Sequence, residues 1–364
     1  MYPVMSSASK VNGILFGVVL AGMFVYSLPP VFSFAKNQSD AWNLFVDGKL
    51  LRKFEQVYDK RFFLREPAVE GWANVQYRLF GEGTKGVVLG KDGWLYTNQE
   101  YRVPNDLQSN LDSQLAQIAK VEQQLKFHNK RLIVLPLPMK VDVYSAHTER
   151  AVDPRAISLY DRFVTALQAQ KTEVTPVRAA FLGNLTGPEL FLKSDTHWSP
   201  QGARLTAYEL ARQHPELLGD ERYVSHKVAD KTVKGDLMNY IQFNHAQLAP
   251  QFGPSQIALY ETLKAEQSSD ALFADEQQSL LLVGTSYSKL DDWNFTGFLK
   301  EALNRDLLSV AVEARGPFEA MNQFLASDDL NNPQIDTVIW EFPLRTLLAH
   351  RMGSLSRPGQ TQHF

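Results

Sequence analysis

The hydrophobic pattern divides the chain into stretches of different character. Residues 14–28 (Ile-Leu-Phe-Gly-Val-Val-Leu-Ala-Gly-Met-Phe-Val-Tyr-Ser-Leu) are uncharged, and the apolar character runs on through Pro29-Pro30-Val31-Phe32-Ser33-Phe34-Ala35, with Lys10 before and Lys36 after. A spanning helix needs about 20 mostly apolar residues. Residues 1–36 therefore read as an uncleaved signal anchor that nearly reaches that length before the proline pair. Ser33-Phe34-Ala35 resembles a small-x-small cleavage site, so a removed secretory signal is the rival reading and a buried core helix a third. Both of the first two export the remainder of the chain.

From Ala41 to Gly86 the apolar points Phe54, Tyr58, Phe62, Phe63, Trp72, Tyr77 and Phe80 recur at helical spacing. That pattern predicts an amphipathic helical stretch with an aromatic stripe packed on the domain. Two apolar runs around Lys91-Asp92-Gly93 predict a hairpin over residues 87–96. Beyond it the pattern predicts a helix over 106–129, with Leu107, Leu111, Leu115, Ile118 and Leu125 on one face, and a buried strand from Arg131 to Leu135. A helix near 155–170, a short strand at Glu173-Val174 and a helix from Pro200 to Gln213 follow. Further strands are expected at 279–283, 306–312 and 336–342. Short leucine-rich and β-branched strands alternating with helices predict a parallel sheet covered on both faces. Residues 219–277 are polar and irregular, and read as a long excursion that shapes a cleft. The expected organisation is an anchor over 1–36, one α/β domain over 37–350 and a loop-like tail over 351–364.

Composition narrows the function. Lys and Arg number 37 against 40 Asp and Glu, so there is no nucleic-acid footprint. The chain has no cysteine, which excludes disulfides, a thiol nucleophile and a Cys-ligated zinc. Gly81-Glu82-Gly83-Thr84-Lys85-Gly86 lacks the Gly-Lys-[Ser/Thr] ending of a phosphate loop, so nucleotide binding is rejected. No His/Asp/Glu cluster has metal-ligand spacing, and neither a metal nor a cofactor is expected.

The chemistry concentrates in two places. Asp195-Thr196-His197 stands just before Ser199-Pro200, a good cap and first residue for a helix. Ser286 follows the strand 279–283 at a glycine turn, where open α/β sheets place their sites. Serine needs a base within hydrogen-bond reach to become a nucleophile, histidine titrates nearest working pH, and aspartate can orient the ring. The backbone N–H of Ser286 is the first donor expected for an oxyanion. Either motif alone is weak; together at strand ends they define a candidate Ser286–His197–Asp195 triad. Lys140 and Asp236 read as salt-bridged loop residues. Trp94, Trp198 and Tyr287 suit packing better than sugar stacking.

Asp195-Thr196-His197-Trp198, Gly284-Thr285-Ser286-Tyr287-Ser288 and Gly90-Lys91-Asp92-Gly93-Trp94-Leu95-Tyr96 together resemble the AlgX/AlgJ family, as do Trp293-Asn294-Phe295 and Trp340-Glu341-Phe342-Pro343. The resemblance spans roughly residues 50–348. It implies an SGNH-hydrolase-like (flavodoxin-like) fold with circularly permuted motif order, because Asp-x-His here precedes the serine. It further implies O-acetylation of an exported polysaccharide, alginate or cellulose, through an acetyl-serine on Ser286, with His197 as base and Asp195 as its orienter. A membrane-bound O-acyltransferase as acetyl donor, other polymer secretion and acetylation proteins, and a periplasmic site on the inner membrane belong to the same picture. In this family the longer alginate acetyltransferase carries a carbohydrate-binding domain; nothing remains for one after residue 350, so the single-domain, membrane-anchored type is expected.

The match departs from the SGNH pattern at the oxyanion donors. Gly316 fits the glycine position, but no Gly-x-Asn follows the last strand, and Asn294 or Arg345 are the substitutes on offer. An esterase acting on the same polymer, or a non-catalytic scaffold, are the alternative functions. With no basic cluster visible along the chain, the acceptor leans toward cellulose or another weakly charged glucan.

Overall fold

The computed structural model describes residues 5–37, 39–62, 64–265 and 280–349. Phe63, Ser279 and the expected tail from 351 lie outside these. The chain divides into two units, Met1–Trp72 and Ala73–Phe364.

In the first unit the helix Met5–Lys36 contains the 24-residue stretch Val11–Phe34, long and apolar enough to cross a membrane. It does not stop at Pro29-Pro30 but runs through them to Lys36. Each proline removes its own N–H donor, and the apolar run on both sides keeps the segment helical. The single helical stretch expected from Ala41 is broken into Ala41–Val46, Lys49–Arg61 and Arg65–Phe80. Gly48, at φ 68°, takes the left-handed turn that only glycine adopts cheaply and ends the first of them. Phe54 and Tyr58 turn back onto Phe34 and Tyr26, with ring centroids 5.8 and 6.5 Å apart. The aromatic stripe is therefore not one core-facing surface, and Trp72 and Phe80 stay 63% and 69% exposed.

In the second unit β1 (Val87–Leu89) and β2 (Leu95–Thr97) form the expected hairpin. The central sheet is built from β3 (Arg131–Leu137), β4 (Glu173–Val174), β7 (Leu280–Gly284), β8 (Leu307–Ala311) and β9 (Thr337–Pro343), in the order β4-β3-β9-β7-β8 and parallel throughout. Every residue of β7 and β9 is buried, which requires cover on both faces and explains their mostly apolar sequences, with Glu341 the one charged residue. Helices Leu107–Phe127, Leu159–Ala169, Pro200–Gln213, Phe295–Leu303 and Pro317–Leu325 supply that cover through Leu111, Ile118, Phe163, Leu210, Phe298 and Phe324.

The stretch expected to be irregular, 219–277, instead contains a long antiparallel pair, β5 (Tyr223–Val233) and β6 (Ser255–Lys264). Most β5 side chains are exposed, so the strand never needed the apolar alternation that would have announced it.

Candidate active site

The two chemical motifs meet at the carboxyl ends of the sheet strands. After Leu190 the chain makes a narrow loop, closed by the Phe191–Trp198 bridge and by Leu192 N–H donating to His197 O at 3.2 Å. Ser199 Oγ then accepts from Gln201 and Gly202 N–H, both at 3.2 Å, and starts the helix Pro200–Gln213 as its sequence predicts. Ser286 opens a short helix directly after β7, with Thr285 as its cap. Gly284 is required there by close approach: a Cβ would lie 2.3 Å from Ser288 Oγ.

Ser286 Oγ lies 2.8 Å from His197 Nε2, and His197 Nδ1 lies 2.6 Å from Asp195 Oδ1. A carboxylate only accepts, so Nδ1 carries the proton and Nε2 is left free to accept from the serine. Asp195 Oδ1 also accepts from His197 N–H, and Oδ2 accepts from Asp236 N–H, each at 2.9 Å. Burial opposes ionisation of Asp195, but the bonds and charge of His197 and the N–H of Asp236 outweigh it and hold the carboxyl below its ordinary range. His197 is packed against the Tyr287 ring at 4.8 Å and stacked on Trp293 at 5.9 Å. Tyr287 OH donates to Thr196 O at 2.6 Å, tying the serine turn to the Asp–His loop.

The other site residues expected from the sequence fall in different places. Trp198 is fully buried against Tyr287 and Phe295, and Tyr287 and Trp94 are 3% and 2% exposed, so these rings pack rather than face a sugar. The Arg345 guanidinium lies 5.3 Å from the Tyr287 ring centroid. Among the described residues no carboxylate or carbonyl lies within hydrogen-bond reach of it. Asn294, in left-handed conformation at φ 49°, gives its amide to Thr262 Oγ1 at 2.9 Å, on β6. Gly316, at φ 76°, caps the helix Pro317–Leu325; no bond or ring contact joins it to the triad among the described residues.

Sequence reasoning missed three supports. Asp236 makes no salt bridge among the described residues; its carboxylate accepts from Thr196 N–H at 2.8 Å and Thr196 Oγ1 at 2.5 Å, and burial, then the charge of Asp195, raises its pKa. Gly235 (φ 80°) lets it approach, because a Cβ there would meet Ser194 O at 2.2 Å. Glu341, fully buried in β9, accepts from Thr285 N–H at 2.6 Å, from Thr285 Oγ1 at 2.9 Å and from Ser288 Oγ at 3.0 Å, and burial raises its pKa. Lys140 is not a salt-bridged loop residue either. It is 2% exposed, and its ammonium is held by backbone carbonyls. A lone carboxylate inside the apolar run Val338–Phe342 was the one available signal, since charge is buried only for a reason.

Two trios that linear spacing hides also come within ligand reach of one another, Glu173-His214-Glu216 and Asp195-His197-Asp236. Arg131 pairs with both glutamates of the first. The second is the hydrogen-bonded set just described.

A serine, imidazole and carboxylate in line at the carboxyl end of a parallel α/β sheet define a serine-dependent acyl-transfer or ester-cleaving class of protein. The family described as SGNH hydrolase-like domain, acetyltransferase AlgX, matches residues 87–344. The chain is 35% identical to the probable alginate O-acetylase AlgJ of Pseudomonas fluorescens, over 92% of this chain and 86% of that protein. It is 34% identical to the AlgJ of Pseudomonas aeruginosa, over 91% and 88%. The solved O-acetyltransferase domain of Pseudomonas putida AlgJ superposes with a TM-score of 0.66 at 28% identity, covering 73% of this chain and 93% of that one. The chain belongs to the AlgX/AlgJ family of SGNH hydrolase-like acetyltransferases.

Proposed function

We propose that this protein O-acetylates an exported polysaccharide through an acetyl-serine on Ser286. The line Ser286 Oγ–His197 Nε2 (2.8 Å) and His197 Nδ1–Asp195 Oδ1 (2.6 Å) carries the reading. His197 takes the Ser286 proton as Oγ attacks the acetyl carbonyl, and the Ser286 N–H faces the developing oxyanion. His197 then gives the proton to the leaving group, and acetyl-Ser286 remains. In the second half a sugar hydroxyl loses its proton to His197 and takes the acetyl group, the acetyl–Oγ bond breaks, and His197 returns the proton to Ser286 Oγ. Asp195 holds the ring in the required tautomer throughout. The guanidinium of Arg345, which lies over the Tyr287 ring and has no hydrogen-bond acceptor among the described residues, supplies further donors for the oxyanion or acceptor; Gly316 and Asn294 are the weaker candidates for that role.

Alginate is the acceptor favoured by the names of the AlgJ relatives, in place of the less charged glucan that the missing basic run suggested. The apolar helix Val11–Phe34 supports a tether in the inner membrane with the catalytic unit in the periplasm. Tethering raises the effective concentration near a membrane-bound acyl donor and the other proteins of polymer export.

The test is polymer acetylation in cells carrying Ser286→Ala. Acetyl content should fall to background while the protein stays abundant and membrane-associated on a blot. Unchanged acetylation would remove Ser286 as nucleophile and return the scaffold reading.

A further inference from the structure

Lys140 follows β3 after Pro138 and Met139, at the start of the short helix Lys140–Val143, and its side chain is buried. Its Nζ lies 2.6 Å from Leu95 O, 2.5 Å from Leu192 O, 2.9 Å from Lys193 O and 2.9 Å from Asp195 O. The faces of Trp94 and Tyr96 close over it, with centroids 5.2 and 5.5 Å away. One carbonyl comes from the β1–β2 hairpin; the other three come from the loop that carries Asp195 and His197. No carboxylate forms an ion pair with it among the described residues.

Four carbonyl oxygens crowded around one point repel one another, and a buried carbonyl without a donor is costly. The Nζ protons of Lys140 help the four converge. Lys193 O also accepts from Leu95 N–H at 2.9 Å, and burial, opposed by the charges of Glu100 and Asp195, lowers the Lys140 pKa to about 7. The loop turns three carbonyls to this point in the shape it has here. In that shape Asp195 is fixed at both ends: its carbonyl by Lys140, its carboxylate by His197 and Asp236. The same bonds join β3, the hairpin and the loop, so the position of the imidazole is referred back to the central sheet.

We propose that Lys140 is a positioning residue for the acetyl-transfer triad, its buried ammonium acting as the template on which the Asp195–His197 loop sets. It touches neither acyl group nor acceptor, and acts through Asp195. The inference rests on the triad reading above. A residue that merely filled the core would change melting temperature and leave turnover per folded molecule untouched.

The test uses the full-length chain in detergent with a chromogenic acetyl ester, and Lys140→Met, which keeps length and volume but offers no proton. With the folded fraction fixed by circular dichroism, kcat should fall about a hundred-fold while KM stays close to wild type, the cost of a catalytic group displaced by an ångström or so. Lys140→Ala should recover turnover saturably with butylammonium, and not with tetramethylammonium, which has no N–H to give. Wild-type kcat in a folded Lys140→Met, or equal rescue by both amines, would overturn the proposal.

Should Lys140→Met not fold, Lys140→Ala is prepared with butylammonium and the amine is diluted away. Turnover lost while the fold persists upholds the template, and turnover and fold lost together overturn it. Ser286→Ala run alongside separates the two readings. If it retains turnover, the triad itself falls; if it is inert while Lys140→Met is unaffected, only the template falls.

Discussion

The loop that carries Asp195 and His197 rests on a buried lysine, whereas the turn that carries Ser286 rests on a buried glutamate. Under the loop, Lys140 meets inward-facing carbonyls. Under the turn, Glu341 meets an inward-facing N–H and two hydroxyls. The difference follows from which backbone groups each segment leaves over. The narrow loop before a helix bends its C=O groups inward, and the first residues of a helix have N–H groups with no partner in the helix. Each support is one side chain meeting several partners at once, and burial disfavours the charged form of both, lowering the pKa of Lys140 and raising that of Glu341. Each is also fully within the protein, so breaking it leaves several buried polar groups without partners.

The largest effect should come from the residue that joins the halves. His197→Ala removes the base proposed for both steps and should lower kcat by about 10⁴- to 10⁶-fold with the fold intact, measured by ester turnover and circular dichroism. Turnover reduced only a few-fold would mean that the two halves are not one catalytic unit.

Next in size is Glu341. Glu341→Ala strands the Thr285 N–H and two hydroxyls, and should cost about 3 kcal/mol of stability in a denaturant titration, with turnover falling as the serine turn loosens. Glu341→Gln keeps the shape and one acceptor oxygen, and should cost less. The gap between wild type and Glu341→Gln should also depend on pH. Burial raises the folded pKa of Glu341, so the folded state binds the proton more tightly than the unfolded one. Stability contributed by that proton is present below the unfolded value, about 4.3, and is lost as pH rises through the folded value. The gap should therefore narrow as pH rises across that window; a gap that widens would sink the assignment.

Asp195 has the opposite sign. Its folded pKa is depressed, so its contribution is present above the ordinary carboxylate range and is lost as pH falls through the folded value.

Asp236→Asn keeps an acceptor for Thr196 but forfeits its charge. It should lower kcat by no more than about ten-fold, the range of a change in one supporting hydrogen bond. The smallest effect belongs to Asn294→Ala, which loses the bond to Thr262 and places alanine at positive φ. About 1–2 kcal/mol of stability should go, with turnover per folded molecule unchanged. A large loss of kcat there would instead make Asn294 an oxyanion donor.

Much of this protein was legible along the chain because its information is local. The apolar run before Lys36, the apolar stripe of 107–127, the Lys91-Asp92-Gly93 turn and the Ser199-Pro200 helix start are patterns within a few residues, and periodicity reports them. The residue types of the triad were legible for the same reason, each sitting at a strand or helix end. What one dimension could not supply was their meeting: His197 and Ser286 are 89 residues apart. Nor could it supply the partners of Lys140, which lie 45 to 55 residues away. A lysine before a valine looks like any surface lysine until the fold closes carbonyls around it.

The β5–β6 pair escaped because an exposed strand has no need of a hydrophobic face, so its pairing is recorded in backbone hydrogen bonds and not in side-chain pattern. The sequence by itself thus determined most of the elements, the long apolar helix and the chemical vocabulary of the site. The tertiary structure alone decided which of those groups are in line and which buried side chains hold them there, because burial and long-range electrostatics are properties of the packed chain.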